Sequence, residues 1–317
     1  MKVSVVVPAY NAAGSLKRAL QSVFSQSMTD WEVIVVDDAS TDETPAIVEA
    51  WAARDNRVKL LMQPFNKGVS AARNAGIAAA AGEWIALLDA DDAFMPDRLE
   101  TLIALGMSER VDMVADDILY YDWGAQAMVG NGLGHGVIGT RRVSTADFLA
   151  NSVTGSSLLD FSLLKMVFRR NLFVQGRLRY VEGLRQGEDF MAYAQALLSG
   201  ATMVLTHQAL YVYTESVGRK SRQSSNLSRT IANCDEMRRC TLSLLHHPAV
   251  REDPALATLI LKRARGITWY ASWERVYQPL RTRQPAGVLR AIATDWRAII
   301  LLLRAVAQRL TSRLRPS

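Results

Sequence analysis

The chain has 317 residues, of which 49% are hydrophobic and 21% charged, with a formal net charge of +6. That composition excludes a disordered chain, and the length suits one large α/β domain carrying an extension. The positive balance does not point to nucleic acid, because residues 281–317 hold eight arginines against a single acid, Asp295, leaving the rest of the chain close to neutral.

In chain order, MKVSVVVPAY holds an apolar run broken by Pro8 with no small-residue cleavage site after it, so it reads as a first strand rather than a signal peptide. Runs at Val3 to Val7, Glu32 to Val36, Val58 to Met62 and Trp84 to Leu88 alternate with helix-like segments at 14–27, 44–55, 69–81 and 97–106. This βαβα order predicts an α/β fold with a mostly parallel sheet, flanked by helices and binding ligands at the carboxyl ends of its strands. Ser40-Thr41-Asp42-Glu43 and Pro96-Asp97 mark helix starts. Between 115 and 185 the pattern weakens, and Gly130 to Gly139 reads as a loop before a clear helix at Gly187 to Ser199. After Tyr213 comes the polar, basic TESVGRKSRQSSN and then helix to the end, so the expected division is a main domain over 1–225 and a helical extension over 226–317.

The strand ends carry the chemistry. The first two run into PAYN at 8–11 and DDASTD at 37–42; the third is followed by NKGVSAARNAG at 66–76, and the fourth passes directly into DADD at 89–92. Asp37, Asp38, Asp89, Asp91 and Asp92 thus gather along one sheet edge, which is costly in mutual repulsion unless a cation neutralises them. Mg²⁺ or Mn²⁺ suits such a place, being held through one or two carboxylates plus substrate phosphates. Neither a GxxxxGK[ST] nor a GxGxxG follows the first strand, so phosphate is left to the metal and to side chains such as Arg73. Cys234 and Cys240 lack metal-ligand spacing and read as thiols of a reducing compartment. His135, His207, His246 and His247 form no ligand pattern, and Trp269 with Trp273, at i and i+4, reads as the core face of a helix.

VSVVVPAYN, VDDASTDET, NKGVSAARNAG, GEWIALLDADDAFMPDRL and GEDFMAYAQALLSGA, in this order over about residues 1–215, resemble family 2 glycosyltransferases with the GT-A fold, in particular bacterial exopolysaccharide glucosyltransferases of the succinoglycan-assembly kind. The resemblance implies that Pro8, Tyr10 and Asp38 hold the nucleoside, usually uridine, with Arg73 in the donor-binding helix. It implies Asp89 and Asp91 as the metal and ribose pair, Asp91 being the direct ligand, and Asp92 on the sugar pocket. Asp189 matches the catalytic base, with Glu188 beside it. Arg219, Lys220, Arg222 and Ser224 fit a loop closing over the diphosphate. The implied reaction is an inverting transfer of one hexose, glucose first, from a UDP-sugar to a hydroxyl of a saccharide acceptor, of the kind carried on polyprenyl diphosphate. The setting implied is the cytoplasm at the inner face of the cell membrane, with no nucleic-acid partner. The Gln-x-x-Arg-Trp motif and long spans of processive synthases are absent, so one sugar per encounter is expected. A sugar-phosphate nucleotidyltransferase and a non-catalytic saccharide-binding subunit are the alternative readings. PAYNAAG lacks the Gly- and Lys-rich opening of the first, and the second has no need of carboxylates in both DADD and GEDF.

Near the end, Leu289, Ile292, Trp296, Ile299, Leu303, Val306 and Leu310 recur at spacings of 3 and 4 beside a row of Arg290, Arg297 and Arg304. This predicts a basic amphipathic helix suited to anionic membrane lipid, to packing on the main domain, or to dimerisation through its seam. The apolar run Ala298 to Leu303 falls far short of the roughly 20 residues that span a bilayer.

Overall fold

A computed structural model describes residues 2–133, 139–153, 160–215 and 231–303. Its first half comprises β1 (Val3–Ala9), α1 (Leu16–Phe24), β2 (Trp31–Asp37), α2 (Thr44–Ala52), β3 (Val58–Met62), α3 (Val69–Ala79), β4 (Trp84–Leu87), β5 (Ala93–Phe94) and α4 (Arg98–Ser108). Then come β6 (Met113–Asp122), β7 (Ala127–Asn131), β8 (Thr140–Val143), α5 (Thr145–Asn151), β9 (Val167–Arg169), α6 (Asn171–Val174), α7 (Glu188–Leu198) and β10 (Met203–Glu215). The C-terminal helices are α8 (Ile231–Ser243), α9 (Pro248–Glu252), α10 (Pro254–Arg281) and α11 (Pro285–Thr294).

The strands form one sheet in the order β3-β2-β1-β4-β9-β6-β10-β5, with β7 added on β6 and β8 on β10. The predicted parallel unit is its first half, where Val5 lies in register with Val33 of β2 and Ala86 of β4. Beyond β4 the sheet becomes mixed: β9 is antiparallel to both β4 and β6, and β10 returns parallel to β6. Side chains alternate between two cores. Val3, Val5 and Val7 face α1, α2 and α4, whereas Val6, Ile34 and Val36 face α3, α5 and α7. The stretch Gly130 to Gly139, read from sequence as a loop, begins inside β7, which pairs Gly130 with Tyr120 of β6. Residues 134–138, with His135, lie outside the described residues.

At the strand ends opposite the motifs, buried Glu32 accepts from Ser4 Oγ at 2.6 Å and the Ala81 amide at 2.8 Å, and pairs with Lys59 at 2.6 Å. Burial opposes its ionisation, but Lys59 and Ser4 outweigh that and hold the carboxyl below the usual glutamate range. Gly82 donates to Ser4 Oγ in the same knot, and a Cβ there lies 2.6 Å from the Ser4 nitrogen and 2.7 Å from the Val3 carbonyl carbon. Backbone cannot swing away as a side chain can. Gly82→Ala is therefore expected to cost about 1–3 kcal/mol of stability, read as a lowered midpoint in urea unfolding.

The C-terminal helices share the second core. Cys234 and Met237 of α8 and Ile260 and Ile267 of α10 belong to the same apolar cluster as Phe190 and Tyr193 of α7. The predicted single amphipathic helix near the end is instead interrupted. α11 stops at Thr294, Asp295 is extended with φ −143° and ψ 103°, and helix resumes over 296–303. Buried Asp295 causes the break: it accepts from Ser272 Oγ at 2.5 Å and pairs with Arg275 at 3.2 Å on α10, and caps the next segment through the Arg297 amide at 3.1 Å. Leu289, Trp296, Ile299 and Leu303 stay exposed, while Val306, Leu310 and Arg304 lie outside the described residues. Trp269 packs edge-on against Trp296 with centroids 6.0 Å apart, and Trp273 stacks on Tyr277, so this pair borders the exposed C-terminal surface rather than lining the main core. Among the described residues no helix is long and apolar enough to cross a membrane.

Candidate active site

The parallel half of the sheet brings its strand-end turns to one edge, as the crossover connections require. The turns after β1 and β2 are laced together: Asn11 Oδ1 accepts from the Thr41 amide at 2.8 Å, and the Asn11 amide donates to Ser40 Oγ at 2.9 Å. Pro8 is buried inside β1, whereas Tyr10 is 52% exposed at its end, a face open to a planar ring. Asp38 accepts from the amides of Lys67 and Gly68 at 2.8 and 2.7 Å, one on each oxygen, and so fixes the entry to α3.

One turn into α3, Arg73 is buried at 1% exposure and reaches three carboxylates. Its Nη2 lies 2.9 Å from Asp89, and Nη1 lies 2.7 Å from Asp189 and 3.1 Å from Glu188. Lys165, between α5 and β9, closes the cluster with its Nζ 2.7 Å from Asp189 and 3.0 Å from Asp89. Two cations thus bind three carboxylates drawn from the fourth strand end and the start of α7. Glu188 and Asp189 stand in the first turn of that helix, where the dipole favours negative charge. Gly187 before them has φ +79°, and a Cβ on it meets Met237 of α8 at 2.9 Å, so the helical extension abuts the turn that presents them.

The cluster sets the charge states. Burial opposes ionisation of Asp89, but Lys165 and Arg73 overcome it and hold the carboxyl well below the ordinary aspartate range. Burial followed by the Asp189 charge pushes Glu188 upward. For Lys165 burial works against the charged form, yet Asp189 and Asp89 raise it well above the usual lysine range. Asp91 belongs to an exposed rim residue, but crowding by surrounding protein and then the Asp89 charge raise its carboxyl. Asp92 is turned into the protein, accepting from Tyr211 Oη at 2.7 Å and the Thr214 amide at 2.8 Å, which fastens the DADD turn to β10.

The sequence-predicted residues therefore divide. Arg73, Asp89, Glu188 and Asp189 are brought into direct contact; Asp91 flanks them, Asp92 sits beneath, and Pro8, Tyr10 and Asp38 form the neighbouring strand ends. Arg219 and Arg222 lie outside the described residues. For a divalent cation, Asp91 is the fitting ligand, since both oxygens of Asp89 are committed to Arg73 and Lys165. Among the described residues no group of three or more His, Cys, Asp or Glu side chains is placed to hold a metal ion, so a cation held by Asp91 would take further ligands from substrate phosphates.

Two residues of this region were not singled out from the sequence. Lys165 carried a signal, a lone cation inside the apolar run Leu163 to Phe168, because a charge in such a run must find partners when buried. Its place is fixed by Arg98, which donates to the Lys165 carbonyl while gripping Asp116 of β6 at 2.8 and 2.7 Å. Arg18 carried none; on an amphipathic helix it looks like any solvent-facing arginine. It donates to the Asp91 carbonyl and to the Thr214 hydroxyl.

This fold is of the GT-A type, and residues 4–173 match the glycosyl transferase family 2. The chain belongs to that family. It is 33% identical to the succinoglycan biosynthesis protein ExoO of Rhizobium meliloti (strain 1021), over 97% of this chain and 86% of that protein. In fold it is similar to residues 1–349 of S. aureus TarS in complex with UDP-GlcNAc, with TM-score 0.64 at 18% identity over 92% of this chain and 90% of that one. It spans 43% of the longer TarS chain, with TM-score 0.62 at 22% identity over 83% of its own length. The mannosyltransferase PcManGT of Pyrobaculum calidifontis, in complex with GDP-Man and Mn²⁺, gives TM-score 0.58 at 21% identity over 98% of this chain and 80% of that one.

Proposed function

We propose that this protein is an inverting, non-processive hexosyltransferase that moves one sugar, glucose first, from a UDP-sugar to a saccharide hydroxyl on a lipid-linked exopolysaccharide repeat unit. The observation that carries the reading is the single charge cluster joining Asp189 and Asp89 through Arg73 and Lys165. It holds a carboxyl group paired with two cations, the proton acceptor an attacking hydroxyl needs, a short way from the carboxylates assigned to the nucleotide diphosphate. Each oxygen of Asp189 binds one cation and keeps a lone pair for that hydroxyl. Tyr10 and Asp38 are the nucleoside side of the cleft, and Arg73 and Lys165 offer positive charge near the departing diphosphate. Asp91 would hold Mg²⁺ or Mn²⁺, which would supply further positive charge for that leaving group. The likeness to ExoO supports the exopolysaccharide setting, and the UDP-GlcNAc and Mn²⁺ in the related folds support a nucleotide-sugar donor and a divalent ion.

The test is a panel of UDP-glucose, UDP-galactose, UDP-N-acetylglucosamine and GDP-mannose, with and without Mn²⁺ or Mg²⁺, scored by calorimetry and nucleotide release. Metal-dependent binding of one UDP-sugar is the expected result. Failure of every donor to bind with metal present overturns the reading.

An acceptor anchored in the cytoplasmic leaflet requires the enzyme to work at the membrane surface. The exposed Leu289, Trp296, Ile299 and Leu303, with Arg290 and Arg297 nearby, support docking on anionic lipid. The break at Asp295 makes a continuous dimer seam the weaker use of this surface. The intact protein is expected to sediment with vesicles containing phosphatidylglycerol but not with pure phosphatidylcholine, and Trp296→Glu with Leu303→Glu should release it. Equal recovery in the supernatant with both vesicles would refute docking.

A further inference from the structure

Next to Asp91 the β6–β7 hairpin and α1 are joined through Arg18. At the hairpin turn Tyr121 and Trp123 meet edge to face, with centroids 6.2 Å apart. The Arg18 guanidinium lies over both rings, 5.5 Å from the centre of Tyr121 and 5.2 Å from that of Trp123. Because the same guanidinium donates to the Asp91 carbonyl, the ring pair is tied to the DADD turn itself.

The hairpin turn is locked as well. Asp122 accepts from the amides of Gly124 and Ala125 at 2.7 and 3.1 Å, and Tyr121 Oη donates to Gln126 Oε1 at 3.0 Å. Gln126 Nε2 in turn donates to the Trp123 carbonyl at 2.8 Å. Trp123 is thus held in place yet remains 44% exposed. Ordering so large a ring without burying it costs side-chain freedom and leaves apolar area in water, which core packing does not explain. Among the described residues no carboxylate lies within ion-pair distance of Arg18, whose guanidinium is shared between the DADD turn and the two rings.

We propose that Trp123 and Tyr121, held by Arg18, form the subsite for the acceptor sugar, stacking a pyranoside beside the donor cleft. This rests on the reading of the site as a sugar transferase. A pyranoside presents C–H groups on one face and hydroxyls around its edge. An exposed indole bordered by a guanidinium and the Tyr121 hydroxyl matches both parts. Continuity with Asp91 puts this ring next to the donor rather than at a remote surface.

The experiment uses the full chain with UDP and Mn²⁺. The methyl β-glycosides of glucose, galactose and N-acetylglucosamine are titrated by saturation-transfer NMR, and UDP affinity is measured in parallel by calorimetry. One of the glycosides is expected to bind, Trp123→Ala to weaken it about tenfold, the scale of one lost aromatic contact, and Trp123→Phe to restore most of that loss. UDP affinity and unfolding temperature stay unchanged in both variants. Unaltered glycoside binding in Trp123→Ala, or no glycoside bound by wild-type protein that binds UDP, overturns the subsite. A parallel loss of UDP affinity in Trp123→Ala assigns the ring to the donor and also overturns it. Failure of the wild type to bind UDP removes the underlying reading, and this subsite with it.

Discussion

Asp189→Asn is expected to lower kcat by about 10²–10⁴-fold, the usual contribution of a positioned general base, with little change in donor affinity. The substitution is nearly isosteric, and the charge balance favours a folded variant. Wild type sets Arg73 and Lys165 against Asp89, Glu188 and Asp189, so neutralising one carboxylate leaves two cations with two acids rather than an unpaired buried cation. Steady-state kinetics beside calorimetry with the UDP-sugar separate the two effects. Near-normal turnover removes Asp189 from the base role and leaves Glu188, whose carboxyl is pushed upward by burial and by its neighbour, as the remaining acceptor of the proton.

Lys165→Met is expected to lose about 3–5 kcal/mol of stability at pH 7, the range found when one partner of a buried ion pair is removed. Arg73 is then alone against three carboxylates. The pH dependence follows from Asp89, whose carboxyl is held well below its ordinary range by Lys165 and Arg73. A depressed folded-state pKa contributes stability that is fully present above the unfolded value, about 3.9 for aspartate, and is lost as pH falls toward the folded one. The difference between wild type and variant should therefore be widest at neutral pH and narrow below about pH 4. Urea unfolding across that range measures it. A constant difference means that packing of the lysine stem, not its charge, is what the site needs, and Lys165→Arg distinguishes a need for positive charge from a need for this particular amine.

The N-terminal half was legible because local signals agreed there. Short apolar runs, helix-start residues and polar strand ends all pointed to the same parallel sheet, and α2 and α3 begin at the residues expected, Thr44 and Val69. The middle was obscured by charge in the core. β6 carries Asp116 and Asp117 in adjacent buried positions, which reads as a loop until Arg98 is seen to pair with the first and the Leu133 amide, at 2.8 Å, with the second. The same cause concealed Lys165, since a cation on an apolar stretch is intelligible only with its distant partners. The motifs singled out these carboxylates but not how they are shared between cations. That Asp89 faces two cations while Asp91 flanks them depends on Arg73 and Lys165 arriving from α3 and from the segment before β9. In the last helices the spacing of apolar residues was correct, yet Asp295 bound to Ser272 and Arg275 interrupts the backbone that the spacing implied.

The contact of the C-terminal helices with α7 bears on what can replace them. Arg263 of α10 lies 3.7 Å over the Phe190 ring, next in sequence to Asp189, donates to the Ser152 carbonyl and pairs with Asp160 at 3.2 Å. An extension joined this way is not an interchangeable module. Replacing these helices in this chain has to keep an arginine seat over Phe190 and a residue that fits opposite Gly187, so the tail is constrained by the geometry of α7 as much as by its own surface.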